Sequence, residues 1–227
     1  MDFTFSLNDF WIPLMQIIGV NIVLSGDNAV VIALAARSLP PAQQRKAIFW
    51  GSGAAIAMRI VLTIFAVKLL TLPYLKLAGA GLLLWIGIQL LLPEDGEENI
   101  TSSDDLMTAI KTILLADLVM SLDNVIGVAA AAKGSMPLLV IGLAVSIPLV
   151  IFGATMLLKI MERFPIIVTI GGTLLGWVAG EMAVTDPAIA AWIDANMSYM
   201  HTLGPAIGAV IVLGIGKTMG RKKAHSA

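Results

Sequence analysis

The sequence predicts an all-α membrane protein with seven transmembrane helices, arranged as two inverted three-helix repeats followed by a C-terminal helix. Three observations lead to this prediction: the chain is unusually apolar, it holds seven apolar stretches of membrane-spanning length, and a polar motif occurs twice. Hydrophobic residues make up 58% of the 227 residues and charged residues only 13%, whereas a soluble domain carries roughly 25% charged residues. Lipid is therefore the predicted solvent.

The seven apolar stretches are long enough to cross the hydrocarbon as helices, for which ~20 residues suffice. Their approximate bounds are 11–36, 47–67, 72–92, 107–132, 136–158, 165–184 and 203–219. Prolines mark several boundaries, because proline interrupts or begins a helix. Pro40 and Pro41 interrupt the first loop, and Pro73, Pro137 and Pro165 begin the third, fifth and sixth stretches.

A polar motif in the first stretch recurs in the fourth. The two copies read Asn21-Ile22-Val23-Leu24-Ser25-Gly26-Asp27-Asn28 and Asp117-Leu118-Val119-Met120-Ser121-Leu122-Asp123-Asn124. Further matches follow in order: Gly51 with Gly142, Lys68 with Lys159, and the segment 85–89 with 177–181. Each repeat thus covers three helices, and because three is odd the second copy is inserted upside down, an arrangement typical of secondary transporters.

These matches predict one transmembrane domain over residues 1–227. Its parts are a first repeat at 10–92, an acidic loop at 93–106, a second repeat at 107–184 and a seventh helix at 203–219. Two roles stay open for the seventh helix, which could cap the bundle or mediate homo-oligomerisation. Gly172, Gly176 and Gly180 form a stripe that lets two helices approach closely, and we interpret it as packing.

The distribution of basic residues predicts the orientation. If the N-terminus faces outward, the outer segments hold only three basic residues, Lys68, Lys76 and Lys133, against ten in the cytoplasmic segments. Cytoplasmic loops carry the excess of Lys and Arg, so we expect the N-terminus outside and the C-terminus in the cytoplasm. No basic residue precedes Arg37, which favours a retained first helix over a cleaved signal peptide.

Asp27 and Asp123 are the principal candidate site residues. Each lies well inside an apolar stretch, where a carboxylate is costly and is a functional-site hypothesis by default. Carboxylate, amide and hydroxyl oxygens suit hard divalent cations such as Mg²⁺, Ca²⁺ and Mn²⁺, and two aspartates would balance one such ion. A proton relay is the alternative function, and a carboxylate neutralised by a buried partner such as Arg59 is the structural alternative.

The neighbouring polar residues extend the candidate site. On an ideal helix, Asn21, Ser25 and Asn28 share one face, as do Asp117, Ser121 and Asn124, because each set is spaced i, i+4, i+7. The two central aspartates are rotated by about 100° from the asparagines beside them, so either the helices distort or the two side-chain types act differently. Gly26 tolerates unusual torsions and favours a break in the first helix, whereas Leu122 stands at that place in the second copy.

Three further charged residues enter the prediction. Asp117 is favoured as a metal ligand or proton carrier over a helix–helix hydrogen bond. Arg59, in the second stretch, is favoured as a counter-ion to the aspartates over snorkelling to the interface, since it lies far from either end. For Glu181, an ion ligand or gate competes with an interfacial position.

Several function classes are excluded or disfavoured. There is no cysteine, which removes thiolate metal sites, disulfides and Cys nucleophiles. No basic patch with interleaved aromatic residues supports nucleic-acid binding. The sequence holds no HExxH or GxSxG motif, so an enzyme is not predicted, and no cofactor is implied.

Ser-Gly-Asp-Asn in the first helix and Ser-Leu-Asp-Asn in the fourth, in a seven-span chain of this size, resemble the TerC family of integral membrane proteins, closest to its YjbE-type metal transporters. The resemblance runs over about residues 10–220. It implies metal efflux, most often of manganese, across the bacterial inner membrane, with an older association with tellurium resistance. It also implies that Asp27 and Asp123, with Asn28 and Asn124, form the ion site.

The leading hypothesis is therefore a multi-pass inner-membrane exporter of a divalent cation, with Mn²⁺ favoured, working by alternating access. Proton coupling and homo-oligomerisation are left open. The competing hypothesis is a non-transporting membrane partner in a metal or tellurite stress-resistance or export assembly, in which the aspartates would be structural.

Overall fold

The computed structural model of the protein describes residues 10–24, 26–69, 71–92, 102–131 and 135–226. Side chains are not described at positions 21–24, 66–68, 102–104, 123, 125–127, 129–131 and 221–226. Within the described ranges all regular structure is helical. The predicted all-α class is confirmed for this part of the chain.

Nine helices cover the described residues. They are α1 (Ile12–Leu24), α2 (Gly26–Ala36), α3 (Pro41–Leu69), α4 (Leu75–Leu91), α5 (Ser102–Ala131), α6 (Met136–Arg163), α7 (Ile166–Val184), α8 (Ala190–Asn196) and α9 (Met200–Ser226). Every predicted apolar stretch is helical over most of its described residues, and the first is covered by α1 and α2, which lie on either side of the undescribed Ser25. The short α8 was not predicted, and α9 is longer than the predicted 203–219.

The predicted boundary of the acidic loop is wrong at its C-terminal side. Residues 102–106 were assigned to the loop at 93–106, but α5 already begins at Ser102. Polar composition suggested a loop, yet acidic groups are favourable in the first turn of a helix, where the helix dipole is positive. The part of the loop at 93–101 lies outside the described residues.

Four helical segments are long and apolar enough to cross a membrane. They are Pro41–Phe65, Met136–Arg163, Ile166–Val184 and Met200–Gly220, and the apolar α2 and α4 are shorter. Large hydrophobic side chains such as Phe152 and Val210 are more than two-thirds exposed, as expected where lipid is the solvent. The protein is thus a multi-pass helical membrane protein, while the count of seven spans stays a prediction.

The helices pack against one another in a continuous bundle. The α3 helix packs on α5, the α1 and α2 helices pack on α6, and α4, α7 and α9 pack together, while α2 also contacts α7 and α4 also contacts α5. The α7 and α9 helices approach each other closely at their glycines. A Cβ added to Gly176 would overlap the carbonyl of Gly208, and one added to Gly180 would overlap the carbonyl of Gly204. The prediction that the stripe serves packing is confirmed, and α9 is packed within its own chain.

One pair of contacts is repeated between the two halves of the chain. A Cβ added to Gly51 on α3 would lie 2.8 Å from Ile113 Cδ1 on α5, and one added to Gly142 on α6 would overlap Ile17 on α1. Gly51 is the sequence match of Gly142, and Ile17 stands four residues before Asn21 as Ile113 stands four before Asp117. The second helix of each half therefore meets the first helix of the other half at equivalent positions.

Candidate functional site

The first polar motif lies where α1 and α2 follow each other along the chain. The α1 helix is described to Leu24 and α2 from Gly26, and Ser25 between them lies outside the described residues, so the predicted break stays a prediction. Gly26 does not have a positive φ, and a Cβ there would meet nothing within 4 Å. The backbone at Gly26 therefore does not require a glycine. In the second copy of the motif, α5 is continuous from Ser102 to Ala131.

Asp27 lies close to the described start of α2. Its carboxyl group accepts a hydrogen bond from the main chain, since Asn28 N donates to Asp27 Oδ1 at 2.8 Å. Asp27 is half-buried and Asn28 is buried.

A buried charged cluster joins α3 to α5. Arg59 on α3 forms an ion pair with Asp117 on α5 through Nη2 and Oδ1, and its Nε donates to Ser121 Oγ at 3.0 Å. Ser121 Oγ in turn donates to Asp117 Oδ2 at 3.1 Å. Only 2% of Arg59 and 5% of Asp117 are exposed. Buried charges of this kind persist only when they are paired and hydrogen-bonded.

Helical spacing explains how the cluster forms. Asp117 and Ser121 are four residues apart and so lie one above the other on one face of α5. The α3 helix packs along that face, which places Arg59 opposite both. On α3, Thr63 Oγ1 donates to the Arg59 carbonyl at 2.7 Å, an i−4 bond that satisfies the hydroxyl within the helix.

Asp27 and the Arg59–Asp117–Ser121 cluster belong to one electrostatic environment. The charges of Arg59 and Asp117 both act on the Asp27 carboxyl group. The structure brings Arg59, Asp117 and Ser121 into direct contact between α3 and α5, and Asp27 on α2 lies within the range of their charges. Carboxylate and hydroxyl oxygens are the donors that hard divalent cations prefer.

The remaining predicted residues divide into three groups. Asn28 is buried beside Asp27, and Asn124 is half-buried on α5. Glu181 is exposed near the C-terminal end of α7. Ser25 and the side chains of Asn21 and Asp123 lie outside the described residues. Among the side chains that are described, no three His, Asp or Glu residues form a group that could hold a metal ion.

Sequence reasoning missed one buried carboxylate, Asp186, in the turn after α7. It is fully buried and accepts three backbone hydrogen bonds: from Tyr74 N at 2.9 Å, Leu77 N at 3.0 Å and Ala188 N at 2.8 Å. Burial raises the pKa of Asp186, but these donors outweigh it and hold the pKa below its ordinary value.

Asp186 fixes the start of α4 to the end of α7. Tyr74, the N-cap residue of α4, has a φ of 67°, an uncommon conformation for a residue with a side chain. The Asp186 carboxylate holds both Tyr74 N and Leu77 N and so satisfies donors at the first turn of α4. The Asp186-Pro187 dipeptide was a signal for a turn, but nothing in the sequence pointed to its partners.

Comparison with known proteins supports the family resemblance that the two motifs indicated. The profile of the family described as "Integral membrane protein TerC family" matches residues 6–224. The membrane protein YjbE of Bacillus subtilis (strain 168) is 44% identical over 206 residues, which cover 91% of this chain and 94% of YjbE. The membrane protein YkoY of the same organism is 26% identical over 206 residues, covering 81% of this chain and 63% of YkoY. No solved structure matches the chain.

Proposed function

The chain belongs to the TerC family of integral membrane proteins, and we propose that it transports a divalent metal cation across the bacterial inner membrane. Mn²⁺ is the proposed substrate and efflux the proposed direction, both of which the family resemblance implies. The N-terminus lies outside and the C-terminus in the cytoplasm in this proposal, as the excess of basic residues in the cytoplasmic segments favours.

The observation that carries the proposal is the charged cluster inside the helix bundle. An ion pair buried to this degree does not have the properties of a surface salt bridge, and ionisable groups in membrane-spanning helices mark ion pathways. Asp27 lies within the range of the same charges. The break predicted beside it at Gly26 is part of the proposal, because broken helices that offer backbone and side-chain oxygens are typical of ion sites in transporters.

The proposed ligands lie in the two copies of the motif. Asp27 and Asp123 are the core ligands, and Asn28 and Asn124 lie beside them. Ser25, Ser121 and Asn21 supply further oxygens. Glu181 belongs to the proposal as a gate at the end of α7, consistent with its exposure there.

The proposed mechanism is alternating access between two inverted repeats in a seven-span bundle. The repeated contact of Gly51 with Ile113 and of Gly142 with Ile17 supports it, because an internal two-fold axis would exchange these two pairs.

Metal flux into liposomes that hold the pure protein tests the proposal. Mn²⁺, Ca²⁺, Mg²⁺ and Zn²⁺ are compared with and without a pH gradient. We expect Mn²⁺ flux in the wild type and its loss in Asp27→Asn and Asp123→Asn, with the gradient response identifying proton coupling. Asp194→Asn is the matched control, because Asp194 on α8 is exposed and bonds only at the surface with His201.

Two results would contradict the proposal. Normal flux in both aspartate variants would remove these residues from the ion site. No flux of any of the four ions in the wild type, with the protein correctly inserted, would instead favour the non-transporting membrane partner.

A further inference from the structure

We propose that the hydroxyl group of Ser52 on α3 is an oxygen ligand for the metal ion on its way between the cytoplasm and the Arg59–Asp117–Ser121 cluster. The proposal rests on the proposed function and adds a ligand on the entry side of its site. Ser52 belongs to neither copy of the polar motif. Two observations carry the proposal: the hydroxyl group is buried without a hydrogen bond, and it lies on the face of α3 that holds Arg59.

The side chain of Ser52 is buried and unpaired. Only 1% of the residue is exposed, and within the part of the chain that the structure describes its Oγ has no hydrogen-bond partner. A polar group in this position lowers stability, because it gives up hydrogen bonds to water and gains none within the protein. Such a group in a folded protein points to a partner that is not part of the chain, such as a water molecule or an ion.

Two other buried hydroxyl groups in the bundle are satisfied within their own helices. Ser146 on α6 donates to the Gly142 carbonyl at 2.9 Å, and Thr63 on α3 donates to the Arg59 carbonyl at 2.7 Å. Both use the carbonyl four residues earlier, which is the usual acceptor for a hydroxyl group inside a helix. The Ser52 hydroxyl makes no such bond and so keeps its oxygen available for a partner from outside the chain.

Helical spacing places Ser52 on the same face of α3 as Arg59. The two residues are seven positions apart, which is about two turns, or ~10 Å along the helix axis. The contact of Gly51 with Ile113 places this part of α3 against α5, four residues before Asp117. Ser52 therefore lies beside the charged cluster toward the start of α3, which is the cytoplasmic side in the proposed orientation.

The neighbours of Ser52 on its own helix show that this face points into the bundle. Ile48, one turn earlier, belongs to the core cluster that contains Ala29 of α2. Ile56, one turn later, belongs to the core cluster that contains Ile17 of α1. Ser52 thus places a polar group between two apolar clusters. An ion that moves along this face from the cytoplasm would meet the hydroxyl oxygen before the charged cluster, and a neutral oxygen can replace a water in the shell of a hard cation.

Flux and stability, measured together, test the role of the hydroxyl group. Ser52→Ala should slow Mn²⁺ flux into liposomes about tenfold at low Mn²⁺ concentration, because one lost interaction of ordinary hydrogen-bond strength corresponds to about that factor. Its Tm should not fall, because the substitution removes an unpaired polar group and leaves no partner unsatisfied. A lower Tm with normal flux would show a purely structural role and would overturn the proposal.

A cysteine at this position provides a second measurement that does not depend on Ser52→Ala. The chain holds no cysteine, so Ser52→Cys introduces a single thiol. A membrane-impermeant cationic methanethiosulfonate reagent, added to the cytoplasmic face in inverted membrane vesicles, should label this thiol, and Mn²⁺ should slow the labelling. Zn²⁺, which thiolates bind well, should inhibit Mn²⁺ flux by Ser52→Cys at a lower concentration than it does in the wild type.

The matched control is Ala47→Cys. Ala47 lies on the same helix, nearer to its start, and is fully buried in an apolar core cluster, so its thiol should stay unlabelled. If Ser52→Cys is labelled no faster than Ala47→Cys, or if Ser52→Ala keeps normal flux, the ion does not use the Ser52 hydroxyl and the proposal is wrong. If the wild type moves none of the ions while Mn²⁺ still slows the labelling of Ser52→Cys, the transport function fails and the binding role of Ser52 stands.

Discussion

Replacing Asp186 with alanine should destabilise the protein by about 3 kcal/mol, because three backbone N–H groups would lose their acceptor. Each unsatisfied donor costs about 1–3 kcal/mol when buried, and the lower value applies because all three bonds are only part-buried. For a chain of this size, that corresponds to a fall in Tm of about 6–12 °C. The measurement is thermal unfolding of the purified protein in detergent.

The matched control is Asp194→Ala, which removes an exposed carboxylate bonded to His201. An exposed pair contributes only about 0–1 kcal/mol, so its Tm should hardly move. Asp186→Asn keeps one acceptor oxygen and should fall between the wild type and Asp186→Ala. If Asp186→Ala unfolds within about 2 °C of Asp194→Ala, the carboxylate does not stabilise the start of α4 and the argument from its hydrogen bonds is refuted.

Four further predictions concern stability. Gly208→Ala should lower Tm, because the new methyl group would meet the rigid backbone of α7 and overpacking costs about 1–3 kcal/mol. Gly214→Ala is the control on the same helix, and it should not lower Tm because there is open space around Gly214. Ser121→Ala should cost about 1–3 kcal/mol in denaturant unfolding, and a null result would mean that the hydroxyl is dispensable to the cluster. Gly26→Ala should change stability by less than about 1 kcal/mol, because a Cβ there would meet nothing within 4 Å, and a larger loss would show that this position does not tolerate a side chain. The difference in Tm between wild type and Asp186→Ala should stay constant from neutral pH to about pH 4 and shrink below it. The reason is that a carboxyl group with a lowered pKa stabilises the fold until it is protonated. A difference that already shrinks near pH 6 would contradict this.

Local composition was enough to predict the helices. Each apolar stretch became a helix. The short α8, Ala190–Asn196, was not predicted, because seven residues make too few turns for a helical periodicity to stand out. The start of α5 was placed too late for a related reason: hydropathy reports where the hydrocarbon begins and not where the backbone becomes helical.

The residue types of the candidate site could be predicted from the sequence, but the choice of ion-pair partner for Arg59 could not. Sequence reasoning favoured Arg59 as a counter-ion to the aspartates without choosing among them, and the structure pairs it with Asp117. The choice depends on which face of α5 meets α3, which is a property of tertiary packing. Asp186 was missed for the same reason, since two of its three donors lie on α4, more than 100 residues earlier in the chain.

The long sequence separation of these partners has a consequence for how the protein is made. Arg59 precedes Asp117 by 58 residues and Tyr74 precedes Asp186 by 112, and a ribosome adds about 5–20 residues per second. For about 3–12 s after Arg59 is synthesised, Asp117 is therefore not yet present to pair with it. The corresponding interval between Tyr74 and Asp186, whose carboxylate holds the first turn of α4, is about 6–22 s. During biogenesis the first half is inserted incomplete, and the insertion machinery or the lipid interface must accommodate it until the second half arrives.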